Sequence, residues 1–465
     1  MYFSPETINK YRFDAEGFAD FFRLNYYKDS DVFYPINPFA IIQDLGIHYA
    51  FRNLDRLEGL LLTDTDGTGV NLIVINSKRP IQRIRYSCAH ELCHFLKDVG
   101  DSRYNPLKCF ASSSNSIERY AESFAASFLM PRDEMKKVIA RQIKKCYLSF
   151  DDILFIADYF GVSFQSCYYR IKSVSPEVLP EGCDSKLKKY HPSIRREEIG
   201  LRSDVVLYEQ ILNSWSDAWS STDQTRAALV FKNEYVYNDS RMEGIDISEE
   251  VLCEIITDLR LNTQNSEYNI QKHYNLSEIA GHSLLYDYVF SYPKSQKISI
   301  YTILKLNRIL FSCVPFSAFG GRTRTQNVLV LGSKFETVDY HDVMTELIKL
   351  DKTVQSLEEN YSSRKKSEII KEIVRIHHRL TVIHPFSDGN GRTSRAFMNL
   401  LLMRYGIPPV FITMEKKPEY VKALSIADTC ENIDSLYSII MKEIINSHSN
   451  YYSVRKRRFN NISNE

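Results

Sequence analysis

The stretch HPFSDGNGRTSR, residues 384–395, decides how the C-terminal half of the chain is organised. The residues before it, SEIIKEIVRIHHRLTVI, and after it, GRTSRAFMNLLLMRYG, carry apolar side chains at helical spacing. The stretch is therefore predicted to be a loop between two helices, with GNG at the N-terminus of the second. Exposed backbone amides and the positive end of the helix dipole form an anion site at such a position.

The charged side chains of this stretch suit a reaction on a nucleotide. Arg392 and Arg395 are three positions apart on the second predicted helix, so both can reach phosphates of one polyphosphate. Asp388 is an oxygen ligand of the kind that Mg²⁺ prefers. His384 stands where it can take a proton from an attacking hydroxyl. In such a transfer, positioning and charge neutralisation do most of the catalysis.

The stretch matches the Fic family signature, H-P-F-x-D/E-G-N-G-R-x-x-R, at every specified position, and the resemblance covers about residues 205–445. Members of that family transfer AMP, or more rarely another nucleotide-derived group, from a nucleotide such as ATP to a protein hydroxyl. The resemblance implies that His384 is the base, that Asp388 binds Mg²⁺ and that Asn390 positions the α-phosphate. The residues that it implies for holding the phosphates are Gly389, Gly391, Arg392 and Arg395.

Two further segments resemble parts of that family. GGRTRTQNVLVLGSKFETV, residues 320–338, reads as a β-hairpin among helices and falls at the position of the family's flap, which holds a target segment by strand addition. Its strand, residues 325–331, would clamp the backbone of a target protein. Tyr420, in KPEYVKALSIAD, matches a position near the family's nucleobase pocket, and core packing is the alternative for a tyrosine on a helix.

The segment EYVYNDSRMEGIDISEE, residues 234–250, resembles the inhibitory helix found upstream of many Fic cores, with the form S/T-x-x-x-E-G/N. Glu243 and Gly244 fit this form, whereas Asp239 stands at the Ser/Thr position. The resemblance implies that Glu243 pairs with Arg395 and denies that arginine to the γ-phosphate. An exposed helix end is the structural alternative, and support for removal of AMP from a modified protein is the functional one.

A second chemistry is indicated by HELCH, residues 90–94. His90 and His94 are four positions apart on a predicted helix, so both imidazoles can bind one metal ion. Zinc lowers the pKa of bound water towards about 7, and Glu91 is placed to take a proton from it. Either Glu118 or Glu122, one turn apart on the next predicted helix, can supply a third ligand.

The segment ERYAESFAASFLMP together with HELCH resembles the ImmA/IrrE family of zinc metallopeptidases, over about residues 35–175. The resemblance implies Glu118 as the third ligand, with Glu122 in the outer-shell place where the family usually has Asn. Members of that family cleave or inactivate repressors and antitoxin-like proteins. If the N-terminal domain does not cleave, it serves as a sensor or docking module for the other domain.

The composition favours an ordinary globular protein. Of 465 residues, 59 are Lys or Arg and 58 are Asp or Glu, so the bulk charge does not favour nucleic acid or an acidic membrane as a partner. Nine scattered cysteines indicate reduced thiols. No stretch approaches the roughly 20 apolar residues of a membrane span. We expect a cytoplasmic protein that binds no membrane and no nucleic acid directly, with the oligomeric state left open.

The segment SPEVLPEGCDSKLKKYHPSIRREEIG concentrates proline, glycine and charge, which is typical of a linker. We therefore expect an α+β zincin-like domain, a small sheet with the HExxH helix, followed by a mainly α Fic domain with a β-hairpin flap. The predicted parts are the peptidase domain at 1–174, the linker at 175–200, the Fic domain at 201–446 with its inhibitory helix near 236–250, and a basic tail at 447–465.

Overall fold

The computed structural model divides the chain into two compact units, Met1–Ser214 and Trp215–Glu465. It describes all residues except 1–2, 29, 64–70, 100–115, 144–145, 188–189, 202, 216–220, 246, 262–273, 315–317, 319, 330–335 and 448–465. The predicted basic tail lies outside the described residues, apart from Ser447. No helix in the described part of the chain is both long enough and apolar enough to span a membrane.

The sheet of the N-terminal unit has three strands: β1 (Ile47–Arg52), β2 (Gly59–Leu62) and β3 (Asn71–Asn76). The strand order is β1-β3-β2, with β3 parallel to β1 and antiparallel to β2. The four residues 73–76 are buried, as expected for the central strand. The predicted small sheet is therefore present.

Eleven helices are described in this unit, and α4 contacts both β2 and β3 as well as α5. Because α4 lies between the sheet and another helix, nearly its whole length is buried. The helices are α1 (Pro5–Lys10), α2 (Ala15–Tyr27), α3 (Pro38–Asp44), α4 (Ile81–Lys97), α5 (Ser116–Leu129), α6 (Arg132–Gln142), α7 (Phe150–Phe160), α8 (Phe164–Val174), α9 (Cys183–Leu187), α10 (Pro192–Glu198) and α11 (Ser203–Ser214).

The segment 175–200, predicted as a linker, instead contains α9 and α10 and is part of the N-terminal unit. Arg195 pairs with Asp151 at 2.7 Å, and Arg196 pairs with Asp158 at 2.9 Å, so the charges of α10 bind α7. The next helix, α11, packs against α3 and α4. The prolines and glycines of this segment lie between short helices that pack on the unit, or at their ends. A segment of this kind has the same amino-acid composition as a linker, which is why the prediction was wrong. The division between the units falls after Ser214.

The C-terminal unit is mainly helical, as predicted, and α17 and α18 pack together with α14 and α15 around them. The buried side chains of α17 include Ile373, Val374 and Leu380, which repeat at helical spacing. The helices are α12 (Ser221–Met242), α13 (Glu249–Leu261), α14 (Tyr274–Phe290), α15 (Ile300–Leu310), α16 (Val343–Asn360), α17 (Lys366–Ile383), α18 (Asn390–Arg404), α19 (Lys417–Cys430) and a helix over 434–447.

The predicted flap is a loop whose two arms lie side by side. The amide of Asn327 donates to Asp339 at 2.8 Å, and the hydroxyl of Thr337 donates to the carbonyl of Val328 at 2.9 Å. Among the described residues of 320–338 there is no β-strand, and the tip, 330–335, lies outside them. The arms thus approach as in a hairpin, but side chains make these cross-links.

The predicted inhibitory helix near 236–250 is the C-terminal end of the longer helix α12, followed by a turn. Gly244 has a φ of +89°, a left-handed conformation that glycine adopts without strain, so the chain turns away directly after Glu243, one residue past the end of α12 at Met242. The chain enters the next helix, α13, at Glu249. Glu243 therefore lies on the turn just beyond the end of α12.

Candidate functional sites

Three side chains converge between α4 and α5 in the N-terminal unit. Nε2 of His90 lies 3.1 Å from Nε2 of His94 and 3.2 Å from a carboxylate oxygen of Glu118. The second oxygen of Glu118 is 3.6 Å from Nε2 of His94. One ligand atom from each residue lies within 4.8 Å of the other two. The i, i+4 spacing on α4 and the crossing of α5 produce this set, which fits a three-ligand metal centre.

Glu91 lies beside this centre and is buried. Its Oε2 atom has no hydrogen-bond partner among the described residues, and burial raises the pKa of its carboxyl group. A Cβ at Gly59, on β2, would stand 2.7 Å from Oε1 of Glu91. Gly59 therefore makes room for this carboxylate, and no larger residue fits without moving it. A buried carboxylate with one oxygen left without a partner among the described residues, next to three metal-type ligands, suits a group that accepts a proton.

Asp98 is a part of this site that the sequence reasoning did not identify. Its carboxylate accepts a hydrogen bond from Nδ1 of His94 at 2.8 Å, which directs the Nε2 atom of that imidazole towards His90 and Glu118. The signal was present in the sequence, because Asp98 follows His94 by one helical turn. Glu122 stays outside the set of three: its carboxylate is 3.8 Å from Nδ1 of His90 and its side chain is 40% exposed. Cys93 is buried and is not a member of the set.

In the C-terminal unit, the loop between α17 and α18 is held by its own polar groups. The side chain of Asn390 both accepts from the amide of Phe386 at 2.9 Å and donates to its carbonyl at 2.8 Å. His384 has a φ of +48°, and its carbonyl accepts from Nε of Arg324 at 2.8 Å. Burial lowers the pKa of His384, so the imidazole is neutral and able to accept a proton near neutral pH.

Asn307, on α15, joins this loop to its neighbours and was not identified from the sequence. Its amide donates to the carbonyl of Asp388 at 3.1 Å and to Thr393 at 3.2 Å, and its oxygen accepts from the amide of Gly321 at 2.8 Å. The Asp388 side chain is 52% exposed, so its carboxylate is accessible to a metal ion. Asn307 thus fixes the backbone of the proposed Mg²⁺ ligand.

Arg395 meets two carboxylates from the end of α12. Its Nη2 donates to Glu243 at 2.5 Å, and its Nε donates to Asp239. Burial opposes ionisation of Glu243, but the positive charge of Arg395 outweighs it and lowers the pKa of that carboxyl group. A Cβ at Gly391 would stand 2.7 Å from Oε1 of Glu243. The Glu243 carboxylate therefore lies at the N-terminus of α18, where the phosphates were predicted to bind.

Arg392 is also paired within the chain. Its guanidinium donates to Glu278 on α14, and its Nη2 lies 3.6 Å from the Asp388 carboxylate. Both Arg392 and Glu278 are buried. The structure thus brings together His384, Asp388 and the two predicted phosphate-binding arginines, and adds Glu278, which had no assignment.

Tyr420, predicted to lie near a nucleobase pocket, is buried in the C-terminal unit. It is 2% exposed, and its hydroxyl donates to Nε2 of His377 at 2.7 Å, while Nδ1 of His377 donates to the carbonyl of Ser394. Burial raises the pKa of Tyr420 to about 12. Its side chain therefore lies in the core beside Arg395, which is the packing alternative for a tyrosine on an amphipathic helix.

Comparison with known families bears on both units. Residues 42–172 match the Peptidase M78 model, described as an IrrE N-terminal-like domain, and residues 297–402 match the Fic/DOC family model. The two resemblances predicted from the sequence are confirmed. The matches also confirm the predicted fold class, an α+β region followed by a mainly α region.

The chain is also similar in sequence to proteins that are named protein adenylyltransferases. Protein adenylyltransferase fic-1 of Caenorhabditis elegans is 38% identical over 133 residues, 28% of this chain and 24% of that protein. Protein adenylyltransferase Fic of Drosophila ananassae is 31% identical over 223 residues, 47% of this chain and 42% of that protein. The chain therefore spans less than half the length of these relatives. A Fic domain containing signaling protein from Bacteroides thetaiotaomicron aligns with a TM-score of 0.44 and 21% identity, over 54% of this chain and 97% of that one.

Proposed function

We propose that the C-terminal unit transfers AMP, or another nucleoside monophosphate, from a nucleotide to a hydroxyl side chain of a target protein. The observation that carries this proposal is the loop at 384–395, in which a neutral histidine, an accessible carboxylate and two arginines surround the N-terminus of α18. The naming of relatives as protein adenylyltransferases supports the same chemistry.

In this reaction His384 accepts the proton of the target hydroxyl as its oxygen attacks the α-phosphorus of ATP, and pyrophosphate leaves. The amides of Asn390 and Gly391 bind phosphate oxygens, because the first amides of a helix have no partner within the helix. The amide of Gly389 donates to Oδ1 of Asp388 at 2.6 Å and would exchange this partner for a phosphate oxygen. Mg²⁺ held by Asp388 supplies charge neutralisation for the phosphates when bound. Arg392 and Arg395 hold the outer phosphates.

Glu243 restrains this reaction in our proposal. Its carboxylate is bound to Arg395 and lies against Gly391, so it competes with phosphate for both the arginine and the helix N-terminus. A nucleotide bound beside it lacks Arg395 as a partner for its γ-phosphate and is misaligned for attack. Removal of AMP from a modified protein is a second activity that a carboxylate at this position supports.

We propose in addition that the N-terminal unit is a zinc metallopeptidase that cleaves a regulatory protein such as a repressor or an antitoxin-like protein. The convergence of His90, His94 and Glu118 carries this proposal. Zinc held by these three residues would supply an activated water and would polarise the peptide carbonyl. Glu91 accepts and returns the proton, and Asp98 keeps His94 oriented. The rival is a sensor or docking unit that does not cleave.

The proposed partners follow from these two reactions. The target protein would lie along the flap, whose arms approach the loop of His384, and the peptidase substrate would enter beside β2. We propose a cytoplasmic location, where ATP and Mg²⁺ are available.

The transfer proposal is tested by incubating the purified chain and its Glu243→Gly variant with Mg²⁺, a panel of nucleotides and a cell lysate. Mass spectrometry should locate the added group on Ser, Thr or Tyr side chains. No labelling by either protein with any nucleotide would remove the proposal. The peptidase proposal is tested by metal analysis and by Glu91→Gln, which should keep the zinc and lose cleavage; cleavage that survives in this variant would contradict the assigned role.

A further inference from the structure

Arg395 is bound by two carboxylates that differ in exposure. Glu243 accepts from Nη2, and 33% of its side chain is exposed. Asp239 accepts from Nε, and 5% of its side chain is exposed. The two residues are four positions apart in sequence, near the end of α12. They therefore hold different edges of one guanidinium, one from the surface and one from the core.

Asp239 is itself fixed by a second helix. Its other carboxylate oxygen lies 3.0 Å from Nε2 of His282 on α14, and Nδ1 of His282 lies 3.1 Å from the hydroxyl of Ser240. All three side chains are buried. Burial opposes ionisation of Asp239, but Arg395 and His282 outweigh it and lower the pKa of the carboxyl group. Asp239 is thus an ionised group with a fixed orientation.

The phosphate cradle is occupied by only one of these carboxylates. The atoms nearest to a Cβ built at Gly391 are Oε1 of Glu243, at 2.7 Å, and Nη1 of Arg395, at 3.0 Å. Asp239 is not among them and lies behind the arginine. Removing Glu243 therefore opens the Nη edge of Arg395, while the Nε edge stays bound.

We propose that Asp239 is a positioning residue for nucleotide transfer, which holds Nε of Arg395 so that both Nη atoms face the outer phosphate once Glu243 has moved away. This role rests on the transfer function proposed above and is distinct from restraint. A guanidinium binds phosphate best through two parallel N–H groups, and a fixed Nε determines where those groups point. One helix thus carries both the group that blocks Arg395 and the group that aligns it.

The test uses the Glu243→Gly chain. Adding Asp239→Leu should raise KM for ATP and lower kcat/KM by about tenfold to a hundredfold, since a charge-assisted hydrogen bond that orients a ligand is lost. Asp239→Asn keeps an oxygen that accepts from Nε and should lose less. Asp428→Leu is the matched control, because it removes a buried carboxylate paired with His378, and it should leave KM unchanged. A rise in transfer, or an unchanged KM, with Asp239→Leu would overturn the proposal.

A second comparison excludes a general loss of folding. In an Arg395→Leu background the same Asp239→Leu change removes both members of a buried ion pair, which proteins often tolerate. There it should have no further effect on KM; an equal effect in both backgrounds would show that Asp239 does not act through Arg395. Calorimetric binding of Mg·ATP to His384→Ala chains repeats the comparison without chemistry. Weakened binding of Mg·ATP in the Asp239→Leu chain, together with no transfer in any variant that keeps His384, would remove the transfer proposal alone.

Discussion

The two candidate sites differ in how their charged side chains are paired. In the N-terminal unit, Glu91 is buried beside two imidazoles and a second carboxylate, and its Oε2 atom has no partner in the described part of the chain. In the C-terminal unit, Arg392 and Arg395 are each already paired with carboxylates of the same unit. A cation at the first site replaces only the contacts that its three ligand side chains make with one another. The second must give up a contact before an anion binds.

Replacing His384 has the largest expected effect. We expect this residue to accept the hydroxyl proton at the second site once Glu243 no longer binds Arg395. In a Glu243→Gly background, His384→Ala should lower transfer by about a hundredfold to ten-thousandfold, because no base then takes the hydroxyl proton. His378→Ala is the matched control, since His378 lies within α17 and is paired with Asp428 on α19. Initial rates of target labelling measure the effect; equal rates with and without His384 would show that another group accepts the proton.

The first site should gain stability from metal alone. At 100 to 1,000 times its dissociation constant, zinc should stabilise the chain by about 3 to 4 kcal/mol. The double variant His90→Ala, His94→Ala should bind less than one zinc per chain and lose this increment. Thermal unfolding with and without a chelator, together with metal analysis, measures both. Full zinc retention in the double variant would place the metal elsewhere.

The second site should gain activity when one contact is removed. Glu243→Gly should raise transfer by on the order of a hundredfold, because a misplacement of about 1 Å in the reacting groups costs about that much. Glu243→Gln keeps the size of the side chain and loses its charge, so an intermediate gain is expected. A wild-type chain as active as both variants would mean that the Glu243 to Arg395 contact does not limit the reaction.

The smallest expected effect is on the pH dependence of stability, and it arises in the C-terminal unit from His377. Burial lowers the pKa of His377 from 6.5 to about 3. The unfolded chain therefore binds a proton between these values that the folded chain does not, so stability falls as pH decreases from 6.5 and the loss is complete near pH 3. At pH 5 this linkage costs about 2 kcal/mol.

A His377→Gln variant tests this linkage. Its free energy of unfolding, measured by denaturant titration at pH 7 and pH 5, should fall less between the two values than that of the wild-type chain. His341→Gln, at an exposed position, should behave as the wild type does. Identical pH slopes for all three proteins would show that His377 does not bind a proton on unfolding in this range.

What the sequence could predict depended on distance along the chain. His90 and His94, or Asp388 and Arg392, lie within one turn or one loop, so local spacing brings them together. Asp239 and Glu278 reach the arginines from other helices, and no local pattern predicts that packing. A weak signal existed: Glu278 and His282 are ionisable residues one turn apart on the same helix, α14. The linker was misjudged because charged, proline-containing segments also form short helices that dock through ion pairs.

Arg324 connects the two arms of the flap to the loop that carries His384. Its buried guanidinium donates to the carbonyl of His384 from one flap arm and to the carbonyl of Val338 on the other. Its backbone amide also binds the carbonyl of Pro385 at 2.9 Å. If a target segment binds the flap as proposed, a shift of either arm would move Arg324 and, through it, the backbone of His384. A single side chain would then couple binding of the target protein to the orientation of His384. A target that fits the flap poorly would leave His384 wrongly oriented to accept the proton.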